Sequence, residues 1–127
     1  MSKIIKLRKG LDINLQGKAA ESLVEAPLAK EYAVSPLDFE NVTPKLLVKV
    51  GDKVKAGTPL FFDKNNQRVL FCSPVSGEVS AVNRGEKRKI LNVTVASDGE
   101  LTSEEFATLD LHKAGREEVI ETLLKSG

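Results

Sequence analysis

The chain has 127 residues, 41% of them hydrophobic and 29% charged, with a formal net charge of +1 at pH 7. That length supports one domain, alone or with a helical extension, and the ordinary globular balance excludes wholesale disorder. The near-zero charge gives no field for nucleic acid, the single cysteine excludes an internal disulfide, and no run is long and apolar enough to cross a bilayer. Residues 1–10 carry Lys3, Lys6, Arg8 and Lys9 with no apolar block behind them, so no secretory leader is expected. A reducing, aqueous compartment follows as the expectation.

In chain order, residues 3–8 alternate weakly and predict a first strand, Gly10 a turn, and residues 12–15 a second strand. Pro27 and Pro36 interrupt residues 21–39, which predicts a loop holding one strand near Tyr32. Residues 46–50 predict a strand, 60–63 and 69–72 the arms of a central hairpin, and 78–82 and 90–96 two further strands. The last alternates Leu91, Val93 and Val95 on one face with Asn92 and Thr94 on the other.

Two stretches inside this region mirror one another: KVGDKVKAGTPLF over 49–61 and CSPVSGEVSAVNRGEKRKI over 72–90. The first sets Gly51-Asp52 and Gly57 at turns around Val54 and Leu60. The second answers with Pro74, Gly77 and Asn83-Arg84-Gly85 around Val79 and Val82, with Gly85 able to serve as the left-handed residue of its polar tip. The punctuation is nearly symmetric about residues 65–67, as a compact barrel of short strands requires. Leu60 and Pro74 bracket the hairpin, which puts its midpoint at Gln67, its apex on Asn65, Asn66 and Gln67, and Lys64 about one strand step short of that apex.

Beyond Asp98-Gly99 the period changes. Thr102 with Glu105 has the form of a capping box and predicts a short helix. Residues 116–125 then predict an amphipathic helix, with Val119, Ile120, Leu123 and Leu124 on one stripe and Glu117, Glu118 and Glu121 opposite. Packing on its own β unit is the expected use of that stripe, and contact with another domain is the alternative.

Residues that carry chemistry are few. His112 and Cys72 are each the sole representative of their type, which excludes a His/Cys metal site within the chain. Asp110 beside His112 does not by itself make a triad, and Cys72 next to Phe71 reads as a small buried hydrophobe rather than a nucleophile. No glycine opens a helix at phosphate-loop spacing. We therefore expect no catalytic, cofactor-binding or metal-ligating residue in this segment. The exception to this plainness is the basic turn Arg84, Lys87, Arg88 and Lys89, read either as a solvated turn or as a contact with an acidic partner surface or anionic headgroups.

Three families resemble parts of this pattern. VxxGDxVxxGxxL followed by PVSG is similar to biotinyl and lipoyl carrier domains, and Asp63-Lys64 mimics the DK of a lipoyl site. Lys64 short of the apex and the absence of Met-Lys-Met argue against that use. SPVSGEV resembles glucose-type IIA phosphotransferase proteins, whose histidine pair a single His112 cannot reproduce. The most extensive resemblance is to the N-terminal region of the NqrA subunit of the sodium-translocating NADH:quinone oxidoreductase. It rests on KGLD at 9–12, Pro44-Lys45-Leu46, GDKVKAG, Leu60-Phe61 with Asp63-Lys64-Asn65, the tip NRGEKR at 83–88, and the closing REEVIETLLKSG. Phe62 departs from it, standing where a Glu is common.

That resemblance implies a mainly β fold, a barrel-sandwich hybrid of biotinyl/lipoyl type with a small C-terminal helical extension. Its division falls at 1–98 and 99–127, leading into downstream domains. It implies a structural and docking module of an oxidoreductase subunit, non-catalytic by itself, within a complex that oxidises NADH, reduces ubiquinone-type quinone and exports sodium. Flavins and an iron-sulfur centre are expected on other subunits. Partners would be the other subunits, and quinone through the full subunit. A peripheral position on the cytoplasmic side of the bacterial inner membrane is implied as well. A biotinyl/lipoyl-type carrier is the alternative.

Overall fold

The computed structural model describes residues 10, 16–110 and 112–127; the strands expected over 3–8 and 12–15 lie outside the described residues. Among the described residues, seven strands form two antiparallel sheets. They are β1 (Glu31–Val34), β2 (Pro44–Leu46), β3 (Lys53–Val54), β4 (Pro59–Asp63), β5 (Asn66–Cys72), β6 (Gly77–Arg84) and β7 (Ile90–Ser97), followed by helix α1 (Arg116–Ser126). One sheet runs β1-β7-β6-β3 and the other β2-β4-β5. Their inner faces meet in a core of Val54, Leu60, Phe61, Val75, Val79, Val93 and Val95, with Tyr32, Val34, Leu46, Val48, Phe71 and Val82 packed around it. Burying side chains of this size contributes about 1.5–3 kcal/mol each. The expected barrel-sandwich hybrid with a C-terminal helix is the fold observed.

The mirrored stretches bond directly to one another. Gly51 N–H donates to Val79 O and Val79 N–H to Asp52 O, while Gly57 N–H donates to Ser73 O and Ser73 N–H to Thr58 O. Asn65 lies midway along the chain between the partners of each pair. At the crossover, Gly77 has φ +149°, and a Cβ there would stand 1.9 Å from Ala96 O, so no other residue fits without moving β7. The serines of SPVSG serve this crossover too. Ser73 Oγ donates to Val75 O at 2.7 Å, and Ser76, buried, donates to Asp98 Oδ1 at 2.6 Å while accepting from Thr102 N–H at 3.0 Å.

Four local expectations are corrected. The hairpin apex is Lys64-Asn65, because Asp63 pairs with Asn66 while Phe62 pairs with Leu70. Gln67, Arg68 and Val69 therefore have no counterpart on β4, and this bulge displaces the turn from the midpoint toward the shorter arm. The strand expected over 46–50 is instead Pro44–Leu46. Its continuation is drawn off by a turn in which Asp52 Oδ2 accepts from Lys49 N–H and Asp52 N–H donates to Lys49 O.

Thr102 and Glu105 open no helix. Ala56 N–H donates to Thr102 O and Glu104 N–H to Ala56 O, so the backbone of 102–104 is engaged as a strap alongside Ala56, and Thr58 Oγ1 donates to Glu104 Oε1 at 2.8 Å. Gly85, read as the left-handed residue of its turn, is extended at φ −98°; Lys87 and Arg88 take the left-handed role at φ 52° and 62°.

Helix α1 packs on β5, with Leu124 beside Leu70 and Arg68 paired to Glu121. Its stripe is used against its own β unit. Val119, Ile120 and Leu124 are half-buried, but Leu123 stays 64% exposed because one strand covers only a narrow strip of helix.

Candidate docking surface

The turn joining β6 to β7 closes through backbone bonds. Gly85 N–H donates to Lys89 O at 2.8 Å and Lys89 N–H to Glu86 O at 3.1 Å. Arg84 reaches back across it, its Nη1 donating to Arg88 O at 3.2 Å, and Asn83 and Asn92 bond side chain to side chain at its base. The φ of Gly85 does not demand glycine, and a Cβ there would meet Leu91 Cδ2 at 3.2 Å, close enough that the leucine side chain would have to shift by a few tenths of an ångström. With Glu86 to Arg88 wound into one tight turn, Lys87 and Arg88 sit in the left-handed region that non-glycine residues avoid. Such conformations cost on the order of 1–3 kcal/mol each and persist only where the surroundings hold them.

Of the four sequence-predicted contact residues, the structure brings all together on one exposed tip, and among the described residues none takes part in an ion pair. Their parts differ. Arg84 braces the turn, whereas among the described residues no side-chain bond is made by Lys87, Arg88 or Lys89.

Beside the tip lies a groove of about 280 Å³ that sequence reasoning missed. Pro36 and Ile90 are buried at it, Leu37 and Phe39 remain 51% and 42% exposed, and Val42, Pro44 and Lys89 complete most of its lining. Ser35 Oγ accepts from Leu37 N–H and caps a short 3-10 turn over Pro36–Asp38, which holds Leu37 outward. Phe39 leans on Phe71 at 4.6 Å, and Phe71 stacks on the buried Phe61 at 4.8 Å, so an aromatic row runs from core to groove. The signal available in the sequence was three apolar residues, Leu37, Phe39 and Val42, set among polar ones between Pro36 and Pro44.

The other candidates fall elsewhere. Lys64 stands exposed at the hairpin apex, but that apex is bonded to the neighbouring loop. Asp63 Oδ1 accepts from both Thr43 N–H and Asn65 N–H, and Lys64 N–H donates to Thr43 O at 2.8 Å. Asp110 Oδ1 accepts from the backbone N–H of His112, a local turn bond at an exposed site that makes no triad. Cys72 is half-buried, and burial pushes its thiol above the ordinary pKa, away from thiolate character. Asp98 is held below the usual aspartate value, first by the Ser76 hydroxyl and then by the Glu100 N–H. Among the described residues no cluster of three or more metal-ligating side chains occurs, and no helix is long and apolar enough to cross a membrane.

Comparison with known proteins agrees with this architecture. Residues 5–98 match the family model described as the NqrA N-terminal barrel-sandwich hybrid domain. Similar curated proteins, each named as the A subunit of Na(+)-translocating NADH-quinone reductase, include those of Cellvibrio japonicus (36% identical over 126 residues), Hahella chejuensis (39% over 127) and Neisseria meningitidis (37% over 126). Each alignment covers 98% of this chain and 28% of the relative, so the chain spans about 28% of the length of the curated relatives it matches.

Proposed function

The chain belongs to the family of NqrA N-terminal barrel-sandwich hybrid domains, and from that premise we propose that it is a non-catalytic docking module of a sodium-translocating NADH:quinone reductase. In this reading the whole complex carries out NADH oxidation, quinone reduction and sodium export. Flavins and the iron-sulfur centre reside on other subunits, and this domain lies peripherally at the cytoplasmic face. The barrel is the rigid part, and the basic tip meets another subunit.

The observation that carries the reading is the tip itself. Three cations, Lys87, Arg88 and Lys89, are exposed with no ion pair among the described residues, and two of them stand on left-handed backbone. Strain held in place at a surface turn is what a contact site retains and a purely solvated turn has no reason to keep.

Reversing the three charges, Lys87→Glu, Arg88→Glu and Lys89→Glu, is expected to reduce recovery of the assembled membrane complex without unfolding the domain. Normal assembly of a folded triple variant would overturn the docking role of the tip. A carrier reading has one observation in its favour, the apical position of Lys64. It stands second because Thr43 holds the tip down and the methionines of a biotinyl site are absent, the Asp63 flank matching the lipoyl form alone. Intact mass separates the two.

A further inference from the structure

We propose that the basic tip and the groove beside it form one recognition surface for an acidic partner polypeptide that inserts a single apolar side chain. This rests on the docking reading above and gives it a partner chemistry. Lys89 belongs to both features, lining the groove while following Lys87 and Arg88 in the turn. Ile90, the next residue, is buried at the groove, so the groove and the charges are fixed to one another by a single backbone step into β7.

The size of the groove selects the occupant. At about 280 Å³ it has room for one leucine or phenylalanine anchor with its adjoining backbone. Leu37, Phe39, Val42 and Pro44 offer such an anchor apolar contact, and the Phe39–Phe71–Phe61 row ties the groove to the core, so it is formed in advance of binding. Glu40 also lines the groove and repels a carboxylate near it. The acidic groups of the partner are therefore expected on the side of Lys87, Arg88 and Lys89. A bilayer surface would engage the cations but has no use for a preformed single-anchor groove, and three cations give it only about 1 kcal/mol apiece.

The test places a photo-crosslinking benzophenone amino acid at position 37, in the groove, and in a second preparation at position 123, on the exposed face of the helix, each in the purified full complex. The expected result is a crosslink from position 37 to an acidic stretch of another subunit, with its yield falling about tenfold when Lys87→Glu and Lys89→Glu are added. Position 37 crosslinking only to lipid, or to a partner segment lacking acidic residues, would overturn the proposal. So would a yield indifferent to the charge reversal. Crosslinks to protein from position 123 but none from 37 would sink this surface while leaving a docking module intact; assembly that tolerates the triple charge reversal would sink the basic tip in both.

Discussion

The two tips of this barrel make opposite use of charge. At Lys64-Asn65 the loop resembles the modified turn of a carrier, yet its backbone is bonded down on both sides by Thr43 and Asp63, and its conformation needs no left-handed residue. The turn at 84–89 resembles no carrier feature. It holds Lys87 and Arg88 on left-handed backbone and leaves three cations without partners among the described residues. A motif that looks functional in one dimension is thus structural in three, and an undistinguished charge run becomes the better candidate. What separates them is where the polar groups are already satisfied.

Both tips depend on a single rigid barrel, and the strongest test of the comparison removes that support. Gly77→Ala puts a methyl group 1.9 Å from Ala96 O at φ +149°. We expect a loss of about 3 kcal/mol or more in urea unfolding, and an unchanged midpoint would show that β6 and β7 can separate freely. The bonded tip comes next. Asp63→Ala removes the acceptor for Thr43 and Asn65 and is expected to cost about 1–2 kcal/mol, whereas Lys64→Ala should stay within about 0.5 kcal/mol. Equal effects would erase the distinction between a pinned backbone and a free side chain.

Relief of strain at the other tip should have the reverse sign. Arg88→Gly occupies φ 62° without a Cβ, and its stability should rise by about 0.5–1 kcal/mol while crosslinking from position 37 weakens. A destabilised Arg88→Gly would mean that the turn is not strained. A smaller effect is expected at the Ser76–Asp98 contact. The Asp98 pKa is lowered in the fold, so its contribution is present above the ordinary value of 3.8 and is lost as pH falls through the lower folded value. Acid unfolding followed by circular dichroism should therefore be shallower below pH ~4 in Asp98→Asn than in the parent. The smallest expected change is none: the peptide carrying Lys64, from the protein purified from its native cells, should have its unmodified mass, and an added biotinyl or lipoyl group on Lys64 would restore the carrier reading.

Much of this molecule is written in short-range chemistry. Gly51-Asp52, Gly57 and Gly77 mark turns whose φ values only glycine accepts easily, and the alternation through Val93 and Val95 places both side chains in the core. Helix α1 is likewise visible in the spacing of Val119, Ile120 and Leu124. Such signals act within a few residues, so the barrel, its mirrored halves and the position of the basic turn are legible in the order of residues alone. Long-range packing set the rest. Three unpaired residues on β5 moved the apex to Lys64, and bonds from Ala56 and Ser76 took the backbone of 102–104 away from the helix its capping pair favoured. The groove exists only because the loop over 36–44 packs beside Lys89 and Ile90, some fifty residues on. Each of these outcomes turns on partners distant in the chain, whose hydrogen bonds and contacts outweigh local preference and leave no mark in local pattern.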